Sequence, residues 1–137
     1  MDKQIGLGTL VKVDHDEDTT FTTVACVRTL TPPPRASNQA DATCIDDTLE
    51  IFLNGVETAS DFTVSQFWDP TDSNCQIIDT LKDSGDNVPW QIVYPFETPV
   101  TQAFSGRVIS IVPDEVNNGA TISRMFTVRR STPITYT

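Results

Sequence analysis

The sequence predicts a mainly β chain: two packed antiparallel sheets, as a sandwich or barrel, flanked by a single α-helix. Three observations carry this. Several segments rich in β-branched and aromatic residues alternate with period two. Only one segment, 70–84, carries a helical stripe between a capping aspartate and a terminating glycine. Proline and asparagine-glycine clusters separate the rest.

The central unit is strand, helix, strand over residues 61–96. Residues 61–68 set Phe62 and Val64 on one face of an alternating pattern. Asp69 is placed to cap a helix, and Pro70 suits its first position because no N–H is lost there. Asp72 adds negative charge where the helix dipole favours it. Cys75, Ile78 and Leu81 form the apolar stripe with Ile77 beside it, leaving Asp79, Lys82 and Asp83 expected to turn away. Gly85 ends the helix in the left-handed conformation. The strand at 90–96 alternates through Trp90, Ile92, Tyr94 and Phe96.

The remaining strands flank this unit. A glycine-containing arm over about residues 1–8 leads into a short strand ending at Val13. Residues 20–30 read as one strand, semi-apolar on both faces. Residues 49–53 are a short strand before an Asn54-Gly55 turn. Residues 102–112 put Phe104, Gly106 and Val108 opposite Arg107, Ile109 and Ile111. Residues 120–130 put Ile122, Phe126 and Val128 on one face, with Met125 and Thr127 on the other. About seven strands and one helix make a single domain over residues 1–137.

The 31–47 stretch stands apart. Pro32, Pro33 and Pro34 cannot occupy a central strand, and small polar residues follow. A loop of that length inside a compact domain is expected either to serve a function or to order on a partner.

Composition excludes several function classes. Nineteen acids against nine bases give a net charge of −10, the wrong balance for a protein that grips phosphates. No run approaches the roughly 20 apolar residues of a membrane-spanning helix, and the amino terminus has no apolar signal core, so the expected compartment is the cytoplasm. Cys26, Cys44 and Cys75 are far apart and form no CxxC pair, and with His15 they do not build a standard zinc site. Asp14, Asp16 and Asp18 have the spacing that opens a calcium loop. Thr19 then stands where a glycine belongs and Ala25 where the closing glutamate belongs, which favours a solvated turn. His15 is the one histidine, no serine lies in a G-x-S-x-G elbow, and the paired carboxylates Asp46-Asp47 and Asp114-Glu115 fall in loops. No catalytic constellation, metal site or cofactor is expected. Arg129-Arg130 suits ion pairs with acids of a neighbouring strand better than phosphate contact.

In order, these pieces resemble the major tail tube protein of long flexible-tailed bacteriophages and of gene transfer agents. The matching features are the Gly-Leu-Gly-Thr arm, the acidic turn, the strand at 21–30 and the long loop ending Ala-Thr-Cys-Ile-Asp-Asp at 42–47. They continue with Phe-Thr-Val-Ser-Gln-Phe-Trp at 62–68, Asp69-Pro70 and its helix, Val-Pro-Trp-Gln-Ile-Val-Tyr-Pro at 88–95, and Phe-Ser-Gly-Arg-Val-Ile-Ser at 104–110. The strand at 121–129 completes the series.

The resemblance implies hexameric rings stacked into a tube, a lumen through which double-stranded DNA passes without specific binding, and partnership with tail terminator, tape measure and distal tail proteins. A negative wall would repel phosphate over about 8 Å at physiological salt. In this reading Pro32, Pro33, Pro34, Arg35, Asp46 and Asp47 belong to an inter-ring or inter-subunit loop, poorly ordered in the free subunit. The lining strands are 20–30, 49–57, 104–112 and 120–129, with Glu50 and Glu57 towards the lumen. Arg28, Arg107 and Arg124 are expected to pair with acids of an adjacent subunit or to face away from the channel, since an unpaired arginine would trap phosphate. The alternatives are a monomeric β-sandwich binding module, whose long loop captures a peptide or glycan, and a tail terminator or head–tail connector of the same fold.

Overall fold

The computed structural model describes residues 8–24, 26–46 and 48–137. The expected arm over 1–8 therefore lies outside the described residues apart from Gly8, as do Ala25 and Asp47. Ten strands and one helix follow in chain order: β1 Leu10–Val13, β2 Thr22–Thr23, β3 Val27–Thr31, β4 Ser37–Asp41, β5 Phe52–Glu57, β6 Asp61–Phe67, α1 Ser73–Ser84, β7 Val88–Tyr94, β8 Val100–Pro113, β9 Ser123–Arg130 and β10 Thr135–Tyr136. The fold class is the expected one: mainly β, two antiparallel sheets, one helix.

The larger sheet has the order β2-β1-β7-β8-β9-β6-β3, with β10 added on β8. Its two edge strands, β2 and β3, are joined through residues 24–26. Four Cα–Cα steps reach at most about 14 Å, so the two edges lie close together and the sheet is curled nearly into a barrel. The side chains agree. Phe62 on β6 meets Trp90 on β7 edge to face at 5.5 Å, although two strands separate them in the sheet. Phe62 also meets Phe104 at 5.1 Å, and Trp90 lies 6.2 Å from Phe126. The concave face of one sheet thus supplies both layers of the core.

Cross-strand register shows how alternation fills that face. Val11 and Val13 oppose Ile92 and Trp90, Trp90 opposes Phe104, Val108 opposes Val128, and Val128 opposes Phe62. The Trp90 indole N–H is satisfied inside the core by donating to the Gly106 carbonyl at 3.2 Å. A Cβ on Gly106 would stand 2.7 Å from the Arg129 carbonyl oxygen, so close backbone approach requires glycine there.

The helix closes one side of the curl. Asp72, not Asp69, is its N-cap and accepts from the Asn74 N–H at 2.9 Å. Asp69 instead holds a preceding turn, accepting from the Thr71 N–H while its own carbonyl accepts from the Asp72 N–H. Pro70 lies in that turn, outside the helix. Both aspartates have cap chemistry; the one next to the Cys75–Ile78–Leu81 stripe wins. Those three residues are buried, and Gly85, at φ 69°, terminates the helix as expected.

Five further sequence readings change. The 20–30 strand is two strands on opposite edges, broken at Cys26, whose φ is 51°. The 31–47 loop contains β4, paired with β5 as a separate two-stranded sheet. Asn54-Gly55 is not a turn but the middle of β5, where Gly55 faces a register shift and a Cβ would stand 3.1 Å from the Asn38 carbonyl oxygen. A bulge in β8 between Val108 and Ser110 inverts the later alternation, so Ile111, opposite Phe126, joins the core face that Phe104 and Val108 occupy. Ile122 precedes β9 and is exposed, leaving Phe126 and Val128 to the core without it.

Leu81→Ala, at a site only 3% exposed, should lower unfolding free energy by about 2–5 kcal/mol in chemical denaturation. A loss below about 0.5 kcal/mol would show that the helix does not pack through this stripe.

Candidate assembly surfaces

Two buried arginines organise the periphery, one at each end of β9. The strand's alternation puts Arg124 and Arg130 on the same core-facing side as Phe126 and Val128. Arg124 is 2% exposed. It donates to the Asp79 carboxylate at 2.7 Å, the Cys75 carbonyl at 2.8 Å and Gln66 Oε1 at 3.1 Å, and its guanidinium lies 5.7 Å from the Trp68 ring centre. It ties α1 to β6 and β9. Of the two expectations for Arg124, pairing with an adjacent subunit or facing away from the channel, the first is corrected: Arg124 finds its acid within its own chain, and Asp79 turns towards β9 rather than away. Lys82 and Asp83 are exposed as expected.

Arg130, 4% exposed, holds the base of the β4–β5 hairpin. It donates to Ser60 Oγ at 3.0 Å, to the Thr58, Thr132 and Pro34 carbonyls, and forms an ion pair with Glu57 at 2.9 Å. Arg35 clamps Glu57 from the other side through two 3.3 Å hydrogen bonds. Those bonds hold the Glu57 carboxyl below its ordinary range, with Arg35 as the larger cause and Arg130 the smaller. The Thr58 N–H donates to the Ala36 carbonyl at 2.6 Å, closing the neck. Pro33 is buried, while Pro32 and Pro34 are exposed. The proline run is thus the root of an arm, not free loop.

Beyond that neck the arm is almost wholly exposed. Leu49, Phe52, Leu53 and Val56 are 79%, 49%, 59% and 80% exposed, and Ile45 and Ile51 are exposed with them. Asp46 and Glu50 are exposed in the connection between the strands. Glu50 and Glu57 do not lie on a strand of the larger sheet, because β5 pairs with β4 alone. In the larger sheet it is β6, not 49–57, that lies between β9 and β3.

On its outer face the large sheet presents hydroxyls. Thr31, Thr63, Thr127 and Ser110 are paired in register straight across β3, β6, β9 and β8. The next row reads Thr29, Ser65, Met125 and Val112. Arg129 on this face pairs with Asp61 at 2.9 Å, as expected of a strand-end arginine. Arg107 is exposed beside Arg129 and has no ion-pair partner among the described residues. Arg28 lies 5.1 Å from the Phe67 ring centre and donates to Ser123 Oγ at 3.3 Å. Neither meets an acid of its own chain among the described residues.

The acidic turn is a local structure. Both oxygens of the buried Asp14 carboxylate accept backbone N–H groups, from Asp18 and Thr19, between β1 and β2. One carboxylate oxygen from each of Asp14, Asp16 and Asp18 lies within 4.8 Å of the others, with Asp16 and Asp18 exposed.

Residues 7–96 match the family model described as phage tail tube, lambda-like. The chain belongs to this tail tube family. No curated protein sequence matches it. Among solved structures, this tail tube protein is similar to the tail of an empty gene transfer agent particle refined helically with C6 symmetry. The TM-score is 0.81 at 16% identity, covering 98% of this chain and 99% of that one. A subunit from the virion of a native gene transfer agent matches with TM-score 0.77 at 17% identity over 98% and 99% of the chains. The SPP1 tail tube matches with TM-score 0.69 at 10% identity over 89% and 71%. The protein is a structural tail protein, not an enzyme.

Charge patterning points to Arg124 and Arg130 as ion-pair formers but not to their burial. The available signal was alternation: counting by twos from Phe126 and Val128 reaches both. Replacing Arg130 by Lys keeps the charge and loses the fork that reaches several acceptors. We expect a stability loss of about 1–3 kcal/mol and faster amide exchange at Thr58. Unchanged exchange there would show that Arg130 does not hold the neck.

Proposed function

We propose that this protein forms the tail tube of a phage or gene transfer agent as six-membered rings stacked end to end, with DNA passing through the lumen. The observation that carries this reading is the arm over 37–57: a hairpin anchored by a buried arginine yet exposing six large apolar side chains. An isolated two-stranded hairpin is marginal in water, and apolar surface of this extent belongs against a partner. In a tail tube protein the partner is another subunit. Pro32, Pro33, Pro34, Arg35, Asp46 and Asp47 then belong to the root and tip of an inter-subunit arm. Terminator, tape measure and distal tail proteins meet the two ends of the tube, and the virion tail is built in the bacterial cytoplasm.

The channel wall is assigned to the outer face of β3, β6, β9 and β8. Its rows are mainly short hydroxyls; of the three arginines of β9, Arg124 and Arg130 are withdrawn into the core and Arg129 is paired with Asp61, which leaves Arg107 of β8 as a cation on this face without an acid among the described residues. The chain's charge of −10 makes the surrounding field negative. Arg107 and Arg28 are left for acids of adjacent subunits. Glu50 and Glu57 lie on the arm, where the first adds to that field and the second is neutralised. Thr63→Lys should permit assembly and slow DNA ejection at low salt, the delay easing as salt rises. Ejection unchanged at low salt would remove this face from the lumen.

A second reading is favoured by one finding: a sheath/tube terminator of an extracellular contractile injection system matches the whole chain with TM-score 0.76 at 9% identity. A terminator stops at one ring. Electron microscopy of concentrated protein separates the readings, since the tube reading gives tubes, a terminator gives rings, and a binding module stays monomeric. Replacing residues 38–56 by a two-residue Asn-Gly turn should leave a folded protein that forms no tubes. Tubes of normal length from that variant would refute the arm's role.

A further inference from the structure

An aromatic groove lies across the end of the curled sheet where β7 finishes and β8 begins. Tyr94, Phe96, Val100 and Gln102 line it from that end of the sheet, Pro33 from the root of the arm and Tyr136 from β10. Counting by twos from Trp90 and Phe104 reaches Tyr94 and Gln102, so the groove continues the core-facing side of β7 and β8. Gln102 is buried and accepts from the Tyr94 hydroxyl at 2.7 Å through its side-chain oxygen. Its amide N–H groups are then the donors left for a chain lying in the groove. Burial raises the pKa of the Tyr94 hydroxyl, with Tyr136 a smaller cause. The chain has two tyrosines, and both are here.

The chain enters β1 at this same end. Leu10 pairs with Val93, and Gly8 sits against Pro95, where an added Cβ would lie 3.5 Å from the Pro95 Cβ. Gly8 has φ 92°, a conformation that lets the chain bend across the end of the sheet instead of running on past it. We propose that residues 1–7 of the same chain strap this end of the curl, with Leu7 and Ile5 seated in the groove between Tyr94 and Tyr136. The parity of β1 supports those two side chains: Val13 and Val11 face the core, and the same count by twos continues through Thr9 to Leu7 and Ile5. They are also the two apolar side chains between Met1 and Gly8. Reach supports the same chain as the occupant. Three residue steps from Gly8 span at most about 11 Å, and Phe96 of the groove adjoins the proline that Gly8 touches. A segment tethered that closely meets its own groove at a far higher effective concentration than a second copy does. Pro32 and Pro33 line the groove as well, so the strap holds the root of the arm from one side while Arg130 holds it from the other.

The test is a disulfide within one chain. Cys26→Ser and Cys44→Ser remove the exposed native thiols, and Ile5→Cys with Tyr136→Cys places one thiol on the strap and one in the groove. Diamide, which takes up the two hydrogens as the thiols join, should give a cross-linked monomer that no longer reacts with iodoacetamide at either new cysteine. Covalent dimers in its place would put the segment in a second copy's groove and overturn the proposal. Two thiols that both remain open to alkylation would overturn it as well. The second measurement leaves both tyrosines in place. In the same Cys26→Ser, Cys44→Ser background, Leu7→Asp should speed nitration of Tyr94 by tetranitromethane about fivefold or more, with the far-ultraviolet circular dichroism unchanged. The Tyr94 pKa should fall towards its ordinary value in the same variant, because the hydroxyl gains water. Nitration at the original rate would show that Leu7 does not cover the groove. Neither measurement depends on assembly, so failure here would leave the tube reading standing.

Discussion

The periphery of the fold depends on the pattern of one strand, β9, whose core-facing side reads Arg124, Phe126, Val128, Arg130. A guanidinium taken from water is costly unless its donors are met and its charge is opposed. Both arginines meet that condition, and each does so with groups from a different peripheral element. Arg124 uses a helical carbonyl and a helical carboxylate; Arg130 uses the carbonyls and the glutamate at the neck of the arm. The helix and the arm are thereby fixed to the same rigid strand. An apolar residue at either position would fill space but leave its element without that tether.

Curling supplies the core that this strand requires. A flat sheet would leave Phe62 and Trp90 apart; curled, they meet at 5.5 Å across two intervening strands. Connecting β2 to β3 through three residues makes the near-closure obligatory, since those strands lie at opposite ends of the hydrogen-bonding order. The curl also leaves no place for β4 and β5, which project instead as a separate sheet. Their exposed apolar residues are thus a consequence of the chain path and not a defect of the core.

Electrostatics follows the same division. Acids outnumber bases by ten, yet the ion pairs draw on the few bases to fix structure: Arg124 with Asp79, Arg129 with Asp61, and Arg35 and Arg130 with Glu57. Cations held inside the subunit are unavailable to phosphate. A strongly acidic chain with four of its six arginines committed to ion pairs suits a conduit for nucleic acid better than a receptor for it.

The sequence by itself determined the period-two strands, the single helix with its buried stripe and glycine stop, and the family, because these rest on local alternation, capping chemistry and residue order. It did not determine which of two aspartates caps, since Asp69 and Asp72 offer the same chemistry and tertiary placement chooses between them. Nor did it reveal that 20–30 divides between opposite edges, or that β8 changes parity at a bulge, because one extra residue leaves no compositional trace. The long loop was legible as unusual but not as a strand: Ser37–Asp41 has no apolar alternation and is paired only because β5 lies beside it. The arginines were visible as charges. Only the curled sheet decided that two of them are buried, because burial depends on which face closes inward and on acceptors up to 96 residues away in sequence.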